Sequence, residues 1–387
     1  MGNNTYQIRL IAVACSLSVL CLSGMYFAAR FNSMQIGNIH RVLLNGKATT
    51  TKSLKTVHQS SQYFEINGTS KSNEKTAMTK ILLLTYYRGG SSFLGQIFAQ
   101  NIEAFYWFEP LDSVDLTMSN DFIRKKDGLY LVDTDYKLLK NNSLGELPEK
   151  VIDPRTQTLI KTLTCKATAL SQSTLSGKFF RAGQGMPRFR PYMQCLDKTR
   201  QHKYKLCAQI LEKVCLNSSI VAVKVIRYPM YDVHHLVEII PDLKVIHYVR
   251  DPRGIIMSRS LIHGWSGDNL AKNARYLCLK MAKNMKAFKI LQDQNRNNYL
   301  LLKYEELAMK TEETIRKIYQ FIGHKMPTNL LKWIEQNTKA KTMDWTYGTR
   351  RNSKETVFKW RKRIKKIDMK TVTDQCISIL KTFDYQI

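Results

Sequence analysis

Acidic residues are scarce in this sequence: 31 Asp and Glu oppose 60 Lys and Arg in a chain of 387 residues, for a net charge of +29. A G-x-x-x-x-G-K-[ST] loop is missing, and its absence argues against a nucleoside triphosphatase. The sequence also lacks a C-x-x-C pair, and its histidines are scattered, so we predict no structural zinc. No RNA-recognition, zinc-finger or helix-turn-helix signature is present, and we predict no nucleic-acid partner.

The rest of the composition is typical of a folded protein. Apolar residues make up 44% of the chain and aromatic residues 10%, which excludes a wholly disordered or collagen-like protein. The length suits one large or two ordinary domains. The basic excess predicts a polyanionic partner, and charge alone leaves nucleic acid, an anionic membrane surface and acidic small molecules or glycans open. We interpret His234 and His235 as a pair on a helix surface rather than as metal ligands.

One long hydrophobic run lies near the N-terminus. Residues 10–29 (LIAVACSLSVLCLSGMYFAA) carry no charged side chain, and as a helix they span about 30 Å, the thickness of a bilayer core. A cleaved signal peptide is the alternative, but the run is long for one, and we favour an uncleaved signal anchor. We therefore predict a single-pass protein with a cytoplasmic tail at 1–9 and a transmembrane helix at 10–29.

Residues 30–78 are predicted to form a luminal stem. They are rich in Ser, Thr, Lys and Asn with almost no hydrophobic periodicity, so they cannot bury enough apolar surface to offset their ordering entropy. We expect a flexible segment that joins the anchor to a globular domain at 79–387. This layout is typical of an enzyme tethered inside a secretory compartment.

Six cysteines follow the anchor, and an even number in an oxidising lumen predicts disulfide bonds. The sequence leaves their pairing open. They are Cys165, Cys195, Cys207, Cys215, Cys278 and Cys376. Three glycosylation sequons also lie beyond the anchor, at Asn67, Asn141 and Asn217, and each is a weak signal because the triplet is common by chance.

Strand-like apolar runs alternate with helix-like segments through the globular part, which predicts an α/β fold with a parallel sheet flanked by helices. The first strand is Lys80–Thr85, a continuous apolar run typical of a buried parallel strand. A helix capped by Ser91 or Ser92 is expected next, and a long helix over Asn269–Leu291. We expect residues 177–200, which contain several Gly and Pro, to form a long loop. The further predicted strands are Ala104–Phe108, Ile220–Ile226, Leu243–Val249 and Tyr299–Lys303.

The segment Tyr87–Phe93 (YRGGSSF) stands between the first predicted strand and the helix that follows it. Glycines let a backbone wrap tightly, amide groups at a helix N-terminus bind anions, and Ser and Arg side chains add hydrogen-bond donors. These features predict a phosphate cradle, although an ordinary strand-to-helix turn is the alternative.

A second such segment is Val249–Arg259 (VRDPRGIIMSR), where a predicted strand ends and a helix begins with Pro252 in its first turn. Arg250 at the strand end and Ser258 two turns into the helix can converge on one anion, because ligands of open α/β sheets gather at the carboxyl ends of strands. Taken alone, this segment fits a solvated charge cluster better.

Together the two segments resemble those of the sulfotransferases that use 3′-phosphoadenylyl sulfate (PAPS), and most of all the Golgi carbohydrate 6-O-sulfotransferases. In that family an R-x-G-S-S-F loop, here Arg88–Phe93, holds the 5′-phosphosulfate, and an R-D-P-R-x(4)-S segment, here Arg250–Ser258, holds the 3′-phosphate. Gly89 stands where relatives commonly have Ser or Thr, and Asp384 where they commonly have Gly. The resemblance extends over Phe108–Leu111, Lys224–Arg227, Tyr304–Ala308, Arg351–Ser353 and Lys359–Arg361.

The resemblance implies the fold of PAPS-dependent sulfotransferases, with a P-loop-like parallel sheet and a donor site built from both segments. Arg88, aided by Ser91, Ser92 and the loop amides, is expected to stabilise the bridging and phosphate oxygens of the donor. Arg250 and Ser258 are expected to bind its 3′-phosphate. No metal is expected, since the sulfuryl donor carries its own activation. The residues expected to contact the donor are Arg88, Gly89, Gly90, Ser91, Ser92, Phe93, Leu94, Arg250, Asp251, Pro252, Arg253, Ser258 and Arg361.

Glu109 is the expected general base. Sulfuryl transfer to an alcohol requires the hydroxyl to lose a proton, and a carboxylate near the acceptor can take it. Glu109 follows an aromatic run, Phe105–Phe108, that can stack on a sugar or raise the pKa of the carboxyl by desolvation. The alternative for Glu109 is a structural ion pair.

Trp360 and Arg361 are expected to cover the nucleotide. The alternative is a helix that packs through Trp360 and has a solvated basic face.

The implied partners are a glycan or glycosaminoglycan acceptor and the Golgi membrane, in a type II protein with a luminal catalytic domain. By resemblance the acceptor group is the 6-OH of galactose, N-acetylglucosamine or N-acetylgalactosamine, and the acceptor chain stays open. The basic run Lys359–Lys370 (KWRKRIKKIDMK) either steers an anionic glycan or the donor to the site or is a solvated face. Two other functions compete: an inactive glycan-binding membrane protein on this scaffold, and a luminal kinase, which the missing P-loop lysine disfavours.

Overall fold

The computed structural model describes eight ranges of the chain: 77–114, 122–125, 128–131, 154–182, 186–199, 203–261, 270–339 and 352–387. The predicted anchor at 10–29, the stem up to residue 76 and the sequons at Asn67 and Asn141 lie outside them. Within the described ranges, no helix combines the length and the apolar character needed to cross a bilayer.

A five-stranded parallel sheet forms the centre of the domain. In chain order its strands are β1 (Thr79–Leu84), β2 (Ala104–Phe108), β5 (Ile220–Val225), β6 (Lys244–Val249) and β7 (Tyr299–Lys303). They lie side by side in the order β2-β5-β1-β6-β7, and each neighbouring pair is parallel. Two further strands, β3 (Phe122–Lys125) and β4 (Gly128–Leu131), form a separate antiparallel pair.

The inner strands are continuous apolar runs, as expected for a parallel sheet that is covered on both faces. Residues 81–84 of β1 are fully buried, and so are nearly all side-chain surfaces of β5. Lys224 differs from the other residues of β5 because it is charged, although it is buried like them. A buried charge requires a partner. Because β1 lies between β5 and β6, the segments that follow these three strands emerge at one edge of the sheet.

Helices alternate with the strands along the chain and pack against the sheet and one another. In the described ranges they are α1 (Ser91–Ala99), α2 (Pro154–Leu163), α3 (Gln172–Leu175), α4 (Lys178–Ala182), α5 (Arg190–Lys198), α6 (Tyr204–Leu216), α7 (Val233–Ile239), α8 (Pro252–Ser260), α9 (Leu270–Gln294), α10 (Tyr304–Met309), α11 (Thr311–Phe321), α12 (Thr328–Thr338), α13 (Ser353–Thr356) and α14 (Lys366–Thr382). His234 and His235 lie on the exposed side of α7, beside Glu238.

The α/β fold with a parallel sheet is confirmed, and each predicted strand agrees with the structure to within one residue at either end. The predicted long helix is confirmed as α9. The prediction that Ser91 or Ser92 caps α1 is wrong, because Gly90 is the N-cap and no side chain caps this helix end. An uncapped helix end leaves amide groups that a ligand can use.

The prediction of a long loop over 177–200 is also wrong, because α4 and α5 lie within it. Pro191 stands in the first turn of α5, a position where proline is compatible with a helix because the missing amide hydrogen has no partner there anyway. The helix buries Tyr192 and Leu196, and Cys195 joins it to α6. Packing and a covalent link therefore outweigh the local Gly and Pro signals.

Three disulfide bonds confirm the prediction from the cysteine count and settle the pairing. Cys165 pairs with Cys215, Cys195 with Cys207, and Cys278 with Cys376. The last bond links α9 to α14 across a sequence separation of 98 residues, whereas the Cys195–Cys207 bond closes a separation of only 12. A cross-link over a longer loop removes more conformational entropy from the unfolded chain.

We expect removal of the Cys278–Cys376 bond to cost more stability than removal of the Cys195–Cys207 bond. Replacing both cysteines by Ala should lower the free energy of unfolding by about 4–5 kcal/mol for the first pair and about 3 kcal/mol for the second. Equilibrium denaturation of each double variant checks this order, with the fully reduced wild-type chain as the control. The reverse order would show that loop length does not govern these two bonds.

Candidate active site

The segment between β1 and α1 forms a tight backbone loop. The Gly89 amide donates to the Tyr86 carbonyl over 2.8 Å. Arg88 and Gly90 both have left-handed backbones, with φ of 65° and 82°. A Cβ on Gly90 would lie 2.4 Å from the ring of Tyr304, so no side chain fits at this position. The loop therefore leads directly into the uncapped N-terminus of α1, which is suited to bind an anion.

The segment between β6 and α8 begins with Arg250 and the N-cap Asp251. The Asp251 carboxylate accepts from the Arg253 amide over 2.9 Å, and from the Arg253 guanidinium over 3.0 and 2.8 Å. Pro252 occupies the first turn of the helix, as predicted. Because Asp251 and Arg253 neutralise each other, Arg250 and Arg259 are the remaining cations of this segment.

These two segments are in direct contact, since β1 and β6 are neighbours in the sheet. The Arg88 Nε donates to the Ser258 hydroxyl over 3.0 Å, and an Arg250 guanidinium nitrogen donates to the Arg88 carbonyl over 3.1 Å. Arg259 Nε donates to the Tyr87 carbonyl over 3.2 Å. The structure thus brings Arg88, Arg250 and Ser258 together, within reach of one small ligand.

Each segment also presents a buried polar atom without a hydrogen-bond partner among the described residues. In the first segment this atom is the hydroxyl oxygen of Thr85, which lies 3.0 Å from the point where a Cβ of Gly89 would stand. In the second it is the Nε of Arg250, whose guanidinium stacks on Tyr304 at 4.4 Å. Buried polar groups are nearly always paired, so these atoms fit a polar, anionic ligand.

The sequence of this chain is similar to those of known proteins. The model of the family described as "Sulfotransferase domain" matches residues 78–383. The chain belongs to the sulfotransferase domain family. Carbohydrate sulfotransferase 1 of Rattus norvegicus is 27% identical over 342 residues, which cover 80% of this chain and 79% of the relative. Carbohydrate sulfotransferase 3 of Tetronarce californica is 24% identical over 336 residues, covering 79% of this chain and 72% of the relative.

Among solved structures, the sulfotransferase domain from the curacin biosynthetic pathway matches with a TM-score of 0.40 and 14% identity. The match covers 81% of this chain and 99% of that domain. The resemblance stated from the sequence motifs is confirmed by the family match and by the relatives.

The sulfotransferase places Glu109 at the same sheet edge, directly after β2. Glu109 has a left-handed backbone with φ of 47° and is buried. Its carboxylate accepts from the Lys224 ammonium and, over 2.6 Å, from Arg227. Arg227 also pairs with Asp112 over 2.8 Å. Burial alone would raise the pKa of Glu109, but the two cations outweigh it and lower the pKa below its ordinary value.

The other residues predicted to contact or cover the PAPS donor differ in burial and in their neighbours. Leu94 is fully buried in the core, so only its backbone is available to a ligand, and Phe93 stacks on Trp333 at 5.5 Å. Trp360 is buried, whereas Arg361 is exposed and lies over the rings of Phe358 and Trp360. Arg361 is therefore connected to the site through Trp360.

The second segment is supported by Glu305, which lies in the Tyr304–Ala308 part of the resemblance and is expected from the sequence to support the wall of the site, and by the C-terminal residues. The Glu305 carboxylate accepts from the Asp251 amide over 3.1 Å and from the Tyr385 hydroxyl over 2.9 Å. Burial raises the pKa of Glu305. The Arg253 guanidinium donates to the Gln386 carbonyl over 2.5 Å. The C-terminal residues thus hold α8 in place, and no sequence motif predicted their contacts with Arg253 and Glu305.

Proposed function

We propose that this protein is a PAPS-dependent carbohydrate sulfotransferase that transfers a sulfuryl group to a sugar hydroxyl, the 6-OH of galactose, N-acetylglucosamine or N-acetylgalactosamine. The observation that carries the proposal is the hydrogen-bonded contact between Arg88 and both Ser258 and Arg250 at one sheet edge. The names of the relatives support a carbohydrate acceptor.

We assign the binding of PAPS to both segments, because each provides part of an anion site. The loop at Gly89 and Gly90, the N-terminus of α1 and the hydroxyls of Ser91 and Ser92 suit the 5′-phosphosulfate. Arg250 and Ser258 suit the 3′-phosphate, which distinguishes PAPS from plain adenylyl sulfate. Bound PAPS supplies a sulfuryl group that is already activated by its anhydride bond to phosphate.

In the proposed reaction the acceptor oxygen forms a bond to sulfur as the sulfur–oxygen bond to the 5′-phosphate breaks. Glu109 takes the proton of the acceptor hydroxyl. Its lowered pKa keeps the carboxylate ionised at neutral pH and makes it a weaker base than an ordinary glutamate. Arg88 and the loop amides stabilise the negative charge that grows on the departing phosphate. Lys224 and Arg227 hold the Glu109 carboxylate in position.

A direct test of this function is transfer of labelled sulfate from PAPS to a panel of defined glycans by the full chain. We expect sulfated product on at least one galactose- or N-acetylhexosamine-containing acceptor, with the ester located at carbon 6 by NMR. Binding of adenosine 3′,5′-bisphosphate without product on any acceptor would favour an inactive glycan-binding protein. Phosphate transfer from ATP would favour a kinase.

The pH dependence of turnover should report the environment of Glu109. Because its pKa is lowered, activity should persist at mildly acidic pH and fall only below the ordinary range of a glutamate. In Arg227→Met one of the two cations is lost, the pKa of Glu109 rises, and the acid limb of kcat/KM should move to higher pH. Arg316→Met is the control, because Arg316 is exposed and pairs only locally with Glu312. An acid limb that stays in place in Arg227→Met would contradict Glu109 as the base.

An anionic acceptor chain is favoured by the basic surface around Lys359–Lys366. Its exposed cations form no ion pair with any described residue. Lys370, further along the basic run, differs because it pairs with Asp374 over 2.7 Å. The surface adjoins the site, because Trp360 within it packs on Gly254 of α8. Its members are Lys359, Arg361, Lys362, Arg363, Lys365 and Lys366.

Neutralising this surface should weaken binding of a charged acceptor selectively. In Lys362→Gln/Lys365→Gln/Lys366→Gln, we expect the KM for a long anionic glycan to rise about tenfold at low salt, with little change for a short neutral acceptor. Added salt should remove the difference. The control is Lys286→Gln/Lys289→Gln/Lys332→Gln, which removes three exposed cations from α9 and α12. An equal rise in both triple variants would mean that overall charge, not this surface, attracts the acceptor.

We also propose a Golgi location with residues 10–29 as a type II signal anchor and the catalytic domain in the lumen. The three disulfide bonds support an oxidising compartment, since such bonds are rare in the cytosol. Protease protection of intact Golgi vesicles tests the orientation. The domain should be cleaved only after detergent is added, and cleavage in intact vesicles would place it on the cytosolic side.

A further inference from the structure

Trp360 lies against the N-terminal turn of α8, next to the second segment of the site. It belongs to a short 3-10 helix, Lys359–Lys362, and is only 5% exposed. The Arg253 guanidinium lies over its ring at 5.3 Å. The indole therefore contacts the segment that also carries Arg250.

Two buried donors meet at this place without a partner. The indole Nε1 of Trp360 and the Nε of Arg250 have no hydrogen-bond acceptor among the described residues, and Arg250 is only 9% exposed. The point where a Cβ of Gly254 would stand is 3.0 Å from the first nitrogen and 3.2 Å from the second. The two nitrogens thus flank Gly254, close enough for the oxygens of one phosphate to reach both.

The nearby carboxylates are already engaged. Asp251 accepts from both the amide and the guanidinium of Arg253. Glu305 accepts from the Asp251 amide and from Tyr385. With these acceptors engaged and the Nε of Arg250 beside Gly254, the partner that suits the two free donors is an anion from outside the chain.

A second buried indole, that of Trp107, shows that an unpaired indole nitrogen does not by itself indicate a ligand site. Trp107 on β2 also has an Nε1 without a partner in the described chain. Its neighbours, however, are the aromatic rings of Phe105, Phe180 and Phe189. Trp107 is accordingly a core residue, and it provides a matched control for Trp360.

We propose that the indole N–H of Trp360 donates to the 3′-phosphate of the sulfuryl donor, together with Arg250 Nε, and that Gly254 keeps these two donors close by lacking a side chain. This inference rests on the proposed function and adds a residue that selects for the 3′-phosphate. A Cβ at position 254 would press on the indole and on Arg250 and move them apart.

Binding of two nucleotides to the full chain tests the inference. Isothermal titration should give a much lower Kd for adenosine 3′,5′-bisphosphate than for adenosine 5′-phosphate. Trp360→Phe and Gly254→Ala should each raise the Kd of the bisphosphate about tenfold and leave that of the monophosphate unchanged. Trp107→Phe should change neither. A Trp360→Phe variant that loses affinity for both nucleotides equally, or for neither, overturns the inference.

A second measurement needs no variant to bind ligand. With 15N-labelled tryptophan, the indole N–H resonance of Trp360, assigned by its absence in Trp360→Phe, should shift on addition of the bisphosphate but not of the monophosphate. A resonance that responds to both alike contradicts a contact with the 3′-phosphate. A wild-type chain that binds both nucleotides equally would instead overturn the donor assignment under the proposed function.

Discussion

Replacement of Arg88 by Ala should lower kcat by about 100- to 1,000-fold, the range seen when one donor that stabilises a developing anion is removed. The expectation follows from the position of the guanidinium, which lies between the first loop and Ser258. The backbone strain at φ of 65° is the same for Arg and Ala, since both carry a Cβ. The variant therefore removes the side-chain function and keeps the loop conformation.

Arg88→Lys is the matched control. It keeps the charge but lacks the planar fork, so it should retain part of the activity while losing the Ser258 contact. Thermal unfolding of both variants should match that of the wild type, because Arg88 is only half-buried. Steady-state transfer of labelled sulfate measures the effect, and a kcat within a few-fold of wild type in Arg88→Ala would exclude a role for this side chain in the transition state.

Replacement of Glu109 by Gln should lower kcat by about 1,000-fold, within the range for loss of a general base. The change keeps the shape of the side chain and removes its charge. It also leaves Lys224 in a buried place without its counter-ion, which should lower the free energy of unfolding by about 3–5 kcal/mol. Glu109→Gln is therefore expected to lower both kcat and the free energy of unfolding, and the two effects must be separated.

The double variant Glu109→Gln/Lys224→Met separates them. Removal of the buried ammonium restores electrical neutrality, and Arg227 keeps Asp112 as its partner. We expect the stability to recover while kcat stays low, because the base is still missing. Recovery of turnover together with stability would mean that Glu109 serves only as an ion-pair partner.

Much of the fold could be predicted because its signals are local. The run of apolar residues in β1 has to be a buried strand, since a parallel sheet is covered on both faces. The two segments that meet at Arg88 and Arg250 follow from the same pattern, because each joins a strand end to a helix. Even the contact between them is anticipated by the rule that ligands gather at the carboxyl ends of neighbouring strands.

Features that depend on distant partners could not be predicted in this way. An ion pair was one of the two predictions for Glu109, but its partner Lys224, 115 residues away at the end of β5, could not be named from the sequence. Tyr385 reaches Glu305 across 80 residues. Helix α5 forms in spite of the proline in its first turn, because burial and a disulfide bond favour it. The free donors of Trp360 and Arg250 become visible only when the packing around Gly254 is known.

A crystal structure of the chain with adenosine 3′,5′-bisphosphate would show directly whether one nucleotide spans both segments. We predict the 5′-phosphate on the amides between Gly89 and Phe93 and the 3′-phosphate on Arg250, Ser258 and the indole of Trp360. A nucleotide bound at only one of the two segments, with the other left in solvent, would contradict the proposed donor site.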